Sequence, residues 1–439
     1  MDSSDLGSTI AKFPVINPSN GGIITEVPNM GVPETEVAIQ RAYETFQIWR
    51  KTTAKERSDM LKTLHKLLLA EKEQLARTIT LENGKPYQDS LGEVVFGASY
   101  CEWYAEECRR VQGTIIASPA RNKRMMTVKQ PIGVCGLITP WNFPLNMIAR
   151  KACAALSVGC TVVLKPSEET PLTAMALKKL VDSAGFPPGV FNVITCSRDH
   201  APEVGNILCK HPKVSLISFT GSSATGKILL EQCASTVKKC HMELGGNAPF
   251  IVFPSADLDL AVNGAIGSKF RNTGQTCLCP NRFFVHHDVL EEFVEKLAVA
   301  MDHKLITGDG FAEGVTQGPL INEIAVKKVD TFVQDAVQKG AKIVRGGKRS
   351  GEGNNFYPST LLTGVSVDML CYAYTSDAQQ IWRIADALEC GLLGINEALV
   401  STVEGPHGGV KESGIGREGG VGVGIEDFLE VKYLCIGNQ

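Results

Sequence analysis

The residues that could do chemistry in this sequence centre on Cys277. It lies within residues 269–280, a stretch with asparagine, glycine and proline at turn-forming positions, after a helical run over residues 258–268. A thiol on such a loop can reach a substrate, whereas an isolated cysteine is more often buried in a core. A thiol that attacks an electrophilic carbon needs either a lowered pKa or a nearby base.

Two further residues fit such a nucleophile. Glu243 ends a strand-like run and precedes Leu-Gly-Gly, and Asn142 stands between Pro140 and Pro144. A carboxylate near a thiol can activate water, although a glutamate at the end of a strand is usually only solvated. The amide of Asn142 and the backbone N–H of Cys277 can together stabilise an oxyanion.

Three motifs in this order resemble those of the aldehyde dehydrogenases: Pro-Trp-Asn-Phe-Pro, Glu-Leu-Gly-Gly and Phe-x-Asn-x-Gly-Gln-x-Cys. Within that family, Gly-Gln-Thr-Cys-x-Cys, Lys-Phe-Arg-Asn-Thr and Gln-Gly-Pro-Leu-Ile-Asn are most similar to the succinate-semialdehyde dehydrogenases. The resemblance implies NAD-dependent oxidation of succinate semialdehyde to succinate, a step of GABA degradation. In the family the cysteine forms a thiohemiacetal and then a thioester, which assigns these roles to Cys277, with Asn142 as oxyanion donor and Glu243 as the base for hydrolysis.

The resemblance, which runs from about Phe13 to the C-terminus, also implies an α/β fold of three parts. These are a Rossmann-type NAD-binding domain over residues 1–111 and 133–245, a catalytic domain over 246–419, and an oligomerisation arm over 112–132 and 420–439. The arm implies a homo-oligomer, and the family favours a tetramer.

Hydrophobic patterning agrees with an α/β architecture. Short apolar runs predict strands over residues 132–138, 161–165, 190–194 and 214–219, separated by helical runs as in a parallel sheet that is covered on both faces. Before them, apolar residues at helical spacing predict helices over 34–50, 55–83 and 90–110. Residues 112–131 predict a projecting hairpin.

One stretch predicts a phosphate site. Residues 214–227 predict a strand, a glycine turn and the start of a helix, whose free amides can bind a pyrophosphate near Gly221, Ser222 and Gly226. By itself this glycine spacing more often marks an ordinary strand–helix turn.

A second stretch resembles the family's adenosine-ribose clamp. Lys165, Ser167 and Glu168 follow another predicted strand. Glu168 would repel a 2′-phosphate, which favours NAD over NADP, while Lys165 and Ser167 soften that preference. The resemblance also assigns Trp141 and Leu244 to the cofactor site.

Two arginines predict the chemistry of the substrate. Arg150 comes eight positions after Asn142, and Arg271 comes six before Cys277. Two guanidinium groups at one pocket suit a carboxylate at the far end of a short aldehyde, and Ser401 resembles a third contact to that carboxylate. For either arginine a surface ion pair is the alternative.

Cys279 is the second thiol of the candidate loop. In the enzymes that this loop resembles, the paired cysteines can close a reversible disulfide that blocks catalysis. For Cys277 and Cys279 such a bond would be strained and therefore easily reduced.

Composition restricts the other function classes. The chain has 439 residues, a net charge of −3 and fourteen cysteines without paired metal-ligand spacing, so we expect no metal site, no nucleic-acid partner and no membrane span. The thiols favour a reducing compartment. Relatives from animals work in the mitochondrial matrix, but the acidic N-terminus is unlike a presequence, which favours the cytoplasm if this terminus is complete.

The chain departs from its family at several places. Residues 368–371 run almost directly into residues 380–383, so roughly one strand–helix–strand unit is absent. In the family that unit carries Glu-x-Phe-Gly-Pro, whose glutamate holds the nicotinamide ribose. The catalytic domain is therefore expected to be incomplete near residues 371–376.

Two smaller departures from the family accompany this gap. His407 replaces a phenylalanine of the family, and the usual first strand is missing at the N-terminus. Two alternatives follow: a catalytically impaired member that acts as a subunit or binding protein, and a dehydrogenase of another small aldehyde.

Overall fold

The structure, a computed structural model, describes residues 10–246, 248–350, 355–365 and 372–437. In this part of the chain the strands are β1 (Lys12–Ile16), β2 (Ile23–Pro28), β3 (Ile115–Ile116), β4 (Lys123–Pro131), β5 (Val134–Ile138), β6 (Thr161–Lys165), β7 (Phe191–Val193), β8 (Val214–Thr220), β9 (Lys239–Glu243), β10 (Pro249–Val252), β11 (Arg282–Val285), β12 (Lys342–Arg345), β13 (Leu361–Thr363), β14 (Tyr372–Tyr374), β15 (Gly394–Ile395), β16 (Gly414–Ile415) and β17 (Leu429–Gly437). The α-helices are α1 (Val32–Trp49), α2 (Ala54–Ala70), α3 (Lys72–Asn83), α4 (Tyr87–Glu107), α5 (Pro144–Val158), α6 (Pro171–Ser183), α7 (Ala201–Lys210), α8 (Ser223–Ala234), α9 (Leu258–Lys269), α10 (Leu290–Lys304), α11 (Glu323–Gln338) and α12 (Ala378–Ala387).

A six-stranded sheet has the order β16-β9-β8-β5-β6-β7, and all its pairs are parallel except β16 with β9. Alternate residues of its central strands enter two different cores: Leu137 and Leu164 pack on one face, and Ile138 and Val163 on the other. The chain moves outward from β5 to β7 and then starts again at β8, on the other side of β5. Ligands of such sheets bind where the order reverses, beyond the carboxyl ends of the strands.

The predicted strands all form in this sheet, and the run predicted over 161–165 coincides with β6. The single helix predicted over 55–83 is wrong, because Glu71 leaves helical geometry (φ −95°, ψ 13°) and separates α2 from α3. The break lets Leu68 of α2 and Leu75 of α3 pack in the same core. Gly84 ends α3 in the left-handed conformation, with φ 83°.

A four-stranded parallel sheet has the order β11-β10-β14-β15. Its strand β14 directly follows the point where the family's extra unit is absent, and it occupies an interior position of the sheet. Phe250 of β10 stacks on Tyr374 of β14 with ring centroids 4.7 Å apart, and the hydroxyl of Tyr372 donates to the backbone oxygen of Leu278 at 3.0 Å. This strand therefore supports the loop that carries Cys277.

The predicted hairpin region and the last strand form one antiparallel sheet, β17-β4-β3, in which Leu429–Gly437 pairs along the whole of Lys123–Pro131. Several apolar side chains of this sheet are exposed, among them Ile115, Val431 and Ile436. An exposed apolar surface on a narrow projecting sheet is typical of an interface between subunits.

The segment after residue 406 crosses between the two large sheets. Gly414 and Ile415, placed in the predicted catalytic domain, pair with Glu243 and Met242 of β9 in the six-stranded sheet. The six-stranded sheet therefore includes one short strand from beyond residue 245. No helix among the described residues has the length and apolar character needed to cross a bilayer.

Candidate active site

The loop that carries Cys277 joins α9 to β11 and begins with a tight turn. Asn272, Thr273 and Gly274 have φ values of 49°, 55° and 76°, a left-handed run that residues other than glycine rarely adopt. Asn272 is buried, and its Nδ2 donates to the backbone oxygen of Asn142 at 3.0 Å. This anchored turn leaves the side chain of Cys277 half-buried.

The side-chain amide of Asn142 faces this loop. Its Nδ2 donates to the backbone oxygen of Gln275 at 3.0 Å, two residues before Cys277, and its Oδ1 accepts from the backbone N–H of Phe143 at 3.0 Å. Because the amide has two N–H hydrogens, one remains for another acceptor. The structure brings Asn142 and the nucleophile loop together, and its role as an oxyanion donor stays a prediction.

A buried ion pair that the sequence analysis missed positions Asn142. The Nζ of Lys85 donates to the backbone oxygen of Asn142 and to Oε2 of Glu93, each at 2.6 Å. Oε1 of Glu93 accepts from the N–H groups of Leu145 and Asn146 in the first turn of α5, at 2.9 and 3.2 Å. Nothing in the sequence around Lys85, a lysine after a helix-ending glycine, marks it as buried.

We expect Glu93→Gln to lower the free energy of unfolding by about 3–5 kcal/mol, because it leaves the buried charge of Lys85 without its counter-ion. The thermal midpoint measures this loss. Glu106→Gln is the matched control, since Glu106 lies on the same helix and its side chain is 53% exposed. Equal midpoints for the two variants would contradict the buried pair.

Glu243 ends β9 and is buried. Its Oε1 lies 3.6 Å from Nε2 of His241, and its Oε2 lies 3.9 Å from Nε2 of His407. Burial raises the pKa of Glu243, the nearby imidazole of His241 lowers it, and the charge of Glu418 raises it, so that the net pKa is above its usual value. A carboxylate that gains a proton readily is suited to act as a base.

Four ionisable residues lie close enough to Cys277 to change the pKa of its thiol: Arg150, Glu243, Cys279 and Glu418. Burial raises the pKa of the thiol to about 11; the charge of Arg150 lowers it, and the charges of Glu243, Cys279 and Glu418 raise it. The resting thiol is therefore protonated at neutral pH. Of the two routes that the sequence left open, attack assisted by a base is favoured over a thiolate formed in advance.

Arg150 is not a surface residue. It is 2% exposed, its Nη1 lies 3.0 Å from Oε2 of Glu418, and its Nη2 donates to the hydroxyls of Tyr100 at 2.7 Å and Ser401 at 3.5 Å. Glu418 also pairs with Lys151 at 2.5 Å. The predicted pair of Arg150 and Ser401 is therefore in contact, but the guanidinium already has a carboxylate partner in Glu418, which it shares with Lys151.

Arg271 has a different environment. Its guanidinium carbon lies 5.1 Å from the centroid of the Phe143 ring, which Lys85 also approaches, at 4.1 Å. The side chain is half-buried, and the structure, over the residues it describes, gives Arg271 no carboxylate partner. Of the two predicted arginines it is the one without a counter-ion.

Cys279, the second thiol of the loop, is buried. Its Sγ lies 2.9 Å from the backbone oxygen of Gly274 and 3.7 Å from Nζ of Lys269. Both it and Cys277 are free thiols. The disulfide that the resemblance implies for this pair stays a prediction.

The predicted cofactor residues meet at the carboxyl edge of the six-stranded sheet. Lys165 ends β6, and its Nζ is 3.6 Å from Oε2 of Glu168. Ser167 lies 3.5 Å from the same oxygen, and Nε of Arg198 is 3.3 Å from Oε1. Sequence analysis missed Arg198, whose side chain is 61% exposed.

The phosphate candidates lie at the carboxyl end of β8, which β5 separates from β6 in the sheet. Ser222 caps α8 by accepting the N–H of Thr225 at 3.2 Å, and Gly221 links β8 to that helix. A Cβ on Gly226 would lie 2.4 Å from Cδ2 of Leu244, so Leu244 packs directly against the first turn of α8. This arrangement fits a dinucleotide, whose pyrophosphate would face the free amides of α8 and whose ribose would face Glu168.

The remaining cofactor candidate, Trp141, lies in the segment between β5 and α5. Trp141 is half-buried, and its backbone oxygen accepts from Nδ2 of Asn83 at 2.9 Å. Among the described residues, one group with potential metal-ligand atoms occurs, His286, His287 and Asp288. It lies on an exposed turn after β11, outside the site described above.

Comparison with known proteins agrees with this architecture. The profile of the aldehyde dehydrogenase family matches residues 6–373 and 370–434. These two matches overlap at residues 370–373. The alignment with the rat relative below spans 463 positions, more than the 439 residues of this chain. Both observations are what an internal deletion near residue 371 produces.

Individual relatives cover nearly the whole chain. Mitochondrial succinate-semialdehyde dehydrogenase of Rattus norvegicus is 51% identical over 98% of this chain and 88% of its own length. The 3-sulfolactaldehyde dehydrogenase of Pseudomonas putida is 45% identical over 99% of this chain and 95% of its own. The crystal structure of an NADP-dependent enzyme of E. coli superposes with a TM-score of 0.94 at 46% identity, covering 97% and 95% of the two chains. The chain belongs to the aldehyde dehydrogenase family, whose enzymes oxidise aldehydes with a nicotinamide cofactor.

Proposed function

We propose that this protein catalyses the NAD-dependent oxidation of succinate semialdehyde to succinate, the step of GABA degradation. The observation that carries the proposal is the contact of the Cys277 loop with Asn142, beside the charges of Arg150 and Glu243. The 51% sequence identity to the succinate-semialdehyde dehydrogenase of Rattus norvegicus supports the choice of substrate.

The first step is attack of the Cys277 sulfur on the aldehyde carbon. The thiol starts protonated, so its proton passes to Glu243 as the C–S bond forms. The second N–H of the Asn142 amide and the backbone N–H of Cys277 stabilise the oxyanion. A nicotinamide held at the edge of the six-stranded sheet would supply the hydride acceptor, and loss of the hydride from the adduct would leave an acyl group on Cys277.

The second step is hydrolysis of this thioester. Glu243 first releases the Cys277 proton to solvent, and it then accepts a proton from water as the water oxygen bonds to the acyl carbon. Its buried position and raised pKa suit both directions of proton transfer. The Lys85–Glu93 pair would keep Asn142 in place through both steps.

We propose that Arg271, which has no carboxylate partner among the described residues, selects a carboxylate at the far end of the substrate. We expect Arg271→Leu to lower kcat/KM for succinate semialdehyde roughly tenfold to a hundredfold relative to butanal, since a charge-assisted contact contributes about 1.5–3 kcal/mol. Arg150→Leu should lower the use of both aldehydes, because it leaves buried Glu418 with one cation fewer.

Steady-state kinetics with both aldehydes measure these effects. Arg383→Leu is the control, since the side chain of Arg383 is 64% exposed, and it should change neither value. An Arg271→Leu variant that loses both substrates equally would show that Arg271 has only a structural role.

NAD is the proposed cofactor because Glu168, if it faces the adenosine ribose as the resemblance implies, would repel a 2′-phosphate. Lys165 and Arg198 both contact this carboxylate, which reduces its repulsion of a phosphate without removing it. Comparing kcat/KM for NAD and NADP tests the preference, and a higher value for NADP would overturn it.

A second candidate substrate is another small aldehyde with an anionic end. The relative named 3-sulfolactaldehyde dehydrogenase favours it, because a guanidinium such as that of Arg271 binds a sulfonate as well as a carboxylate. A panel of both aldehydes and butanal separates the candidates. The absence of NADH formation with every aldehyde would favour the third possibility, a catalytically impaired subunit or binding protein.

We also propose that the chain forms homo-oligomers through the sheet β17-β4-β3, with a tetramer as the expected size. The exposed apolar residues of that sheet support this proposal. The mitochondrial relatives favour the matrix as its compartment. Light scattering on the purified protein would test the assembly, and a monomer at micromolar concentration would contradict it.

A further inference from the structure

His241 is a buried histidine that the proposed mechanism does not use. It lies two residues before Glu243 on β9, so both side chains project from the same face of the strand. Its Nε2 is 3.6 Å from Oε1 of Glu243, and the residue is 1% exposed. The candidate base therefore has an imidazole as its direct neighbour.

Asp427 contacts the other side of the imidazole ring. Its Oδ2 is 2.8 Å from Nδ1 of His241, and it lies on the 3-10 turn Glu426–Phe428 just before β17. Gly416 provides the space for this pair, because a Cβ there would lie 2.8 Å from both Oδ2 and Nδ1. The three side chains form a row that begins at Asp427, which is 35% exposed, passes through His241 and ends at Glu243.

Glu418 also faces His241 but is already engaged. Its Oε1 lies 3.8 Å from Nε2 of His241, while Lys151 and Arg150 bind its two oxygens at 2.5 and 3.0 Å. Burial would raise the pKa of Glu418, but the charges of Lys151 and Arg150 lower it well below the usual value. These two cations leave Glu418 little charge to share with His241.

The second histidine near Glu243 is neutral. Burial and then the charge of Arg150 lower the pKa of His407 to about 3. Burial alone would also lower the pKa of His241, but the hydrogen bond with Asp427 and the nearby carboxylate of Glu243 outweigh it and raise that pKa. His241 is therefore the imidazole that can carry a positive charge beside the base.

We propose that His241 is a positioning residue, oriented by Asp427, that holds its positive charge beside the Glu243 carboxylate and keeps this carboxylate ionised for hydrolysis of the acyl-enzyme. The inference rests on the proposed function, which supplies the thioester. Ionised Glu243 takes a proton from water, the water oxygen bonds to the acyl carbon, and the C–S bond breaks with its electron pair on sulfur. The departing Cys277 thiolate then takes the proton from Glu243.

Loss of His241 should shift the pH dependence of this step. Without a positive charge beside it, buried Glu243 binds a proton more tightly and is inactive up to a higher pH. A merely structural role would instead slow the reaction equally at every pH. The position of the acid limb therefore distinguishes the two roles.

The test uses p-nitrophenyl acetate with the full chain, because this ester acylates Cys277 directly and needs no cofactor. We expect His241→Gln to move the acid limb of deacylation up by about one pH unit, which slows deacylation about tenfold below that limb and leaves the plateau rate intact. Asp427→Asn should move it in the same direction by less. His211→Gln is the control, because His211 also contacts a carboxylate, Glu36, at 3.3 Å.

Each outcome decides the question. An acid limb that stays in place in both variants, or a uniform loss of rate in His241→Gln, would overturn the positioning role. If His241→Gln fails to fold, the partly exposed Asp427→Asn variant gives the same test. A p-nitrophenol burst in Cys277→Ala equal to that of the parent protein would instead sink the proposed nucleophile, a result separate from any change in the acid limb.

Discussion

Replacement of Cys277 by alanine should abolish aldehyde oxidation, whereas Cys279→Ala should leave turnover intact. The first variant removes the only atom that can hold the acyl group in the proposed mechanism, and loss of such a nucleophile lowers kcat by a factor on the order of 10⁴–10⁶. The second variant removes a buried thiol whose contacts are with the turn at Gly274 and with Lys269.

NADH formation with succinate semialdehyde measures both variants, and a mild oxidant adds a second readout. The parent protein should lose activity with the oxidant, and Cys279→Ala should resist it, because no disulfide can form with Cys277. Thermal midpoints control for folding. Substantial turnover by a folded Cys277→Ala variant would refute the mechanism, and equal oxidant sensitivity of Cys279→Ala would refute the disulfide alone.

Inserting the family's absent unit after Cys371 should raise turnover roughly a hundredfold, because hydride transfer depends on close alignment of the reacting groups. The unit carries the glutamate that holds the nicotinamide ribose in the family. The turns with Lys165, Glu168 and Gly221 lie outside the gap, so the chain as it stands should bind NAD weakly but detectably.

The same insertion should raise the thermal midpoint. In the shortened chain β14 occupies the interior of its sheet, but the helix that follows is poorly packed. Of the ten residues of α12, Ile384 is buried, while Trp382 is 69% exposed. A glycine–serine segment of equal length is the control. Equal turnover and equal midpoints for the chain and its restored version would contradict this interpretation of the gap.

The fold was predictable where local pattern and burial agree. The strand at 161–165 is buried on both faces and flanked by turns, so its apolar run gave both ends correctly. The break at Glu71 was not predictable, because both halves of the segment have good helical spacing. Whether a helix continues or bends there depends on the core that Leu68 and Leu75 share.

The candidate site was predictable only for residues within recognisable motifs. Asn142 and Gln275 of the Cys277 loop are in contact although 133 positions of the sequence separate them. Each of them stands in a distinctive local sequence. Glu418 stands in no such motif, and its pairing with Arg150 depends on the return of the chain to the edge of β9. For the same reason Lys85, Glu93 and His241 were missed, since burial, and not residue type, gives them their roles.

The central claim is that Cys277 carries out cofactor-dependent oxidation of a small anionic aldehyde. The most direct measurement is the rate of NADH formation by the purified protein with succinate semialdehyde, 3-sulfolactaldehyde and butanal, for the parent chain and for Cys277→Ala. We predict NADH formation by the parent chain that is fastest with succinate semialdehyde and absent in the variant. A folded parent chain that binds NAD but forms no NADH with any of the three aldehydes, or a variant that is as active as the parent, would contradict it.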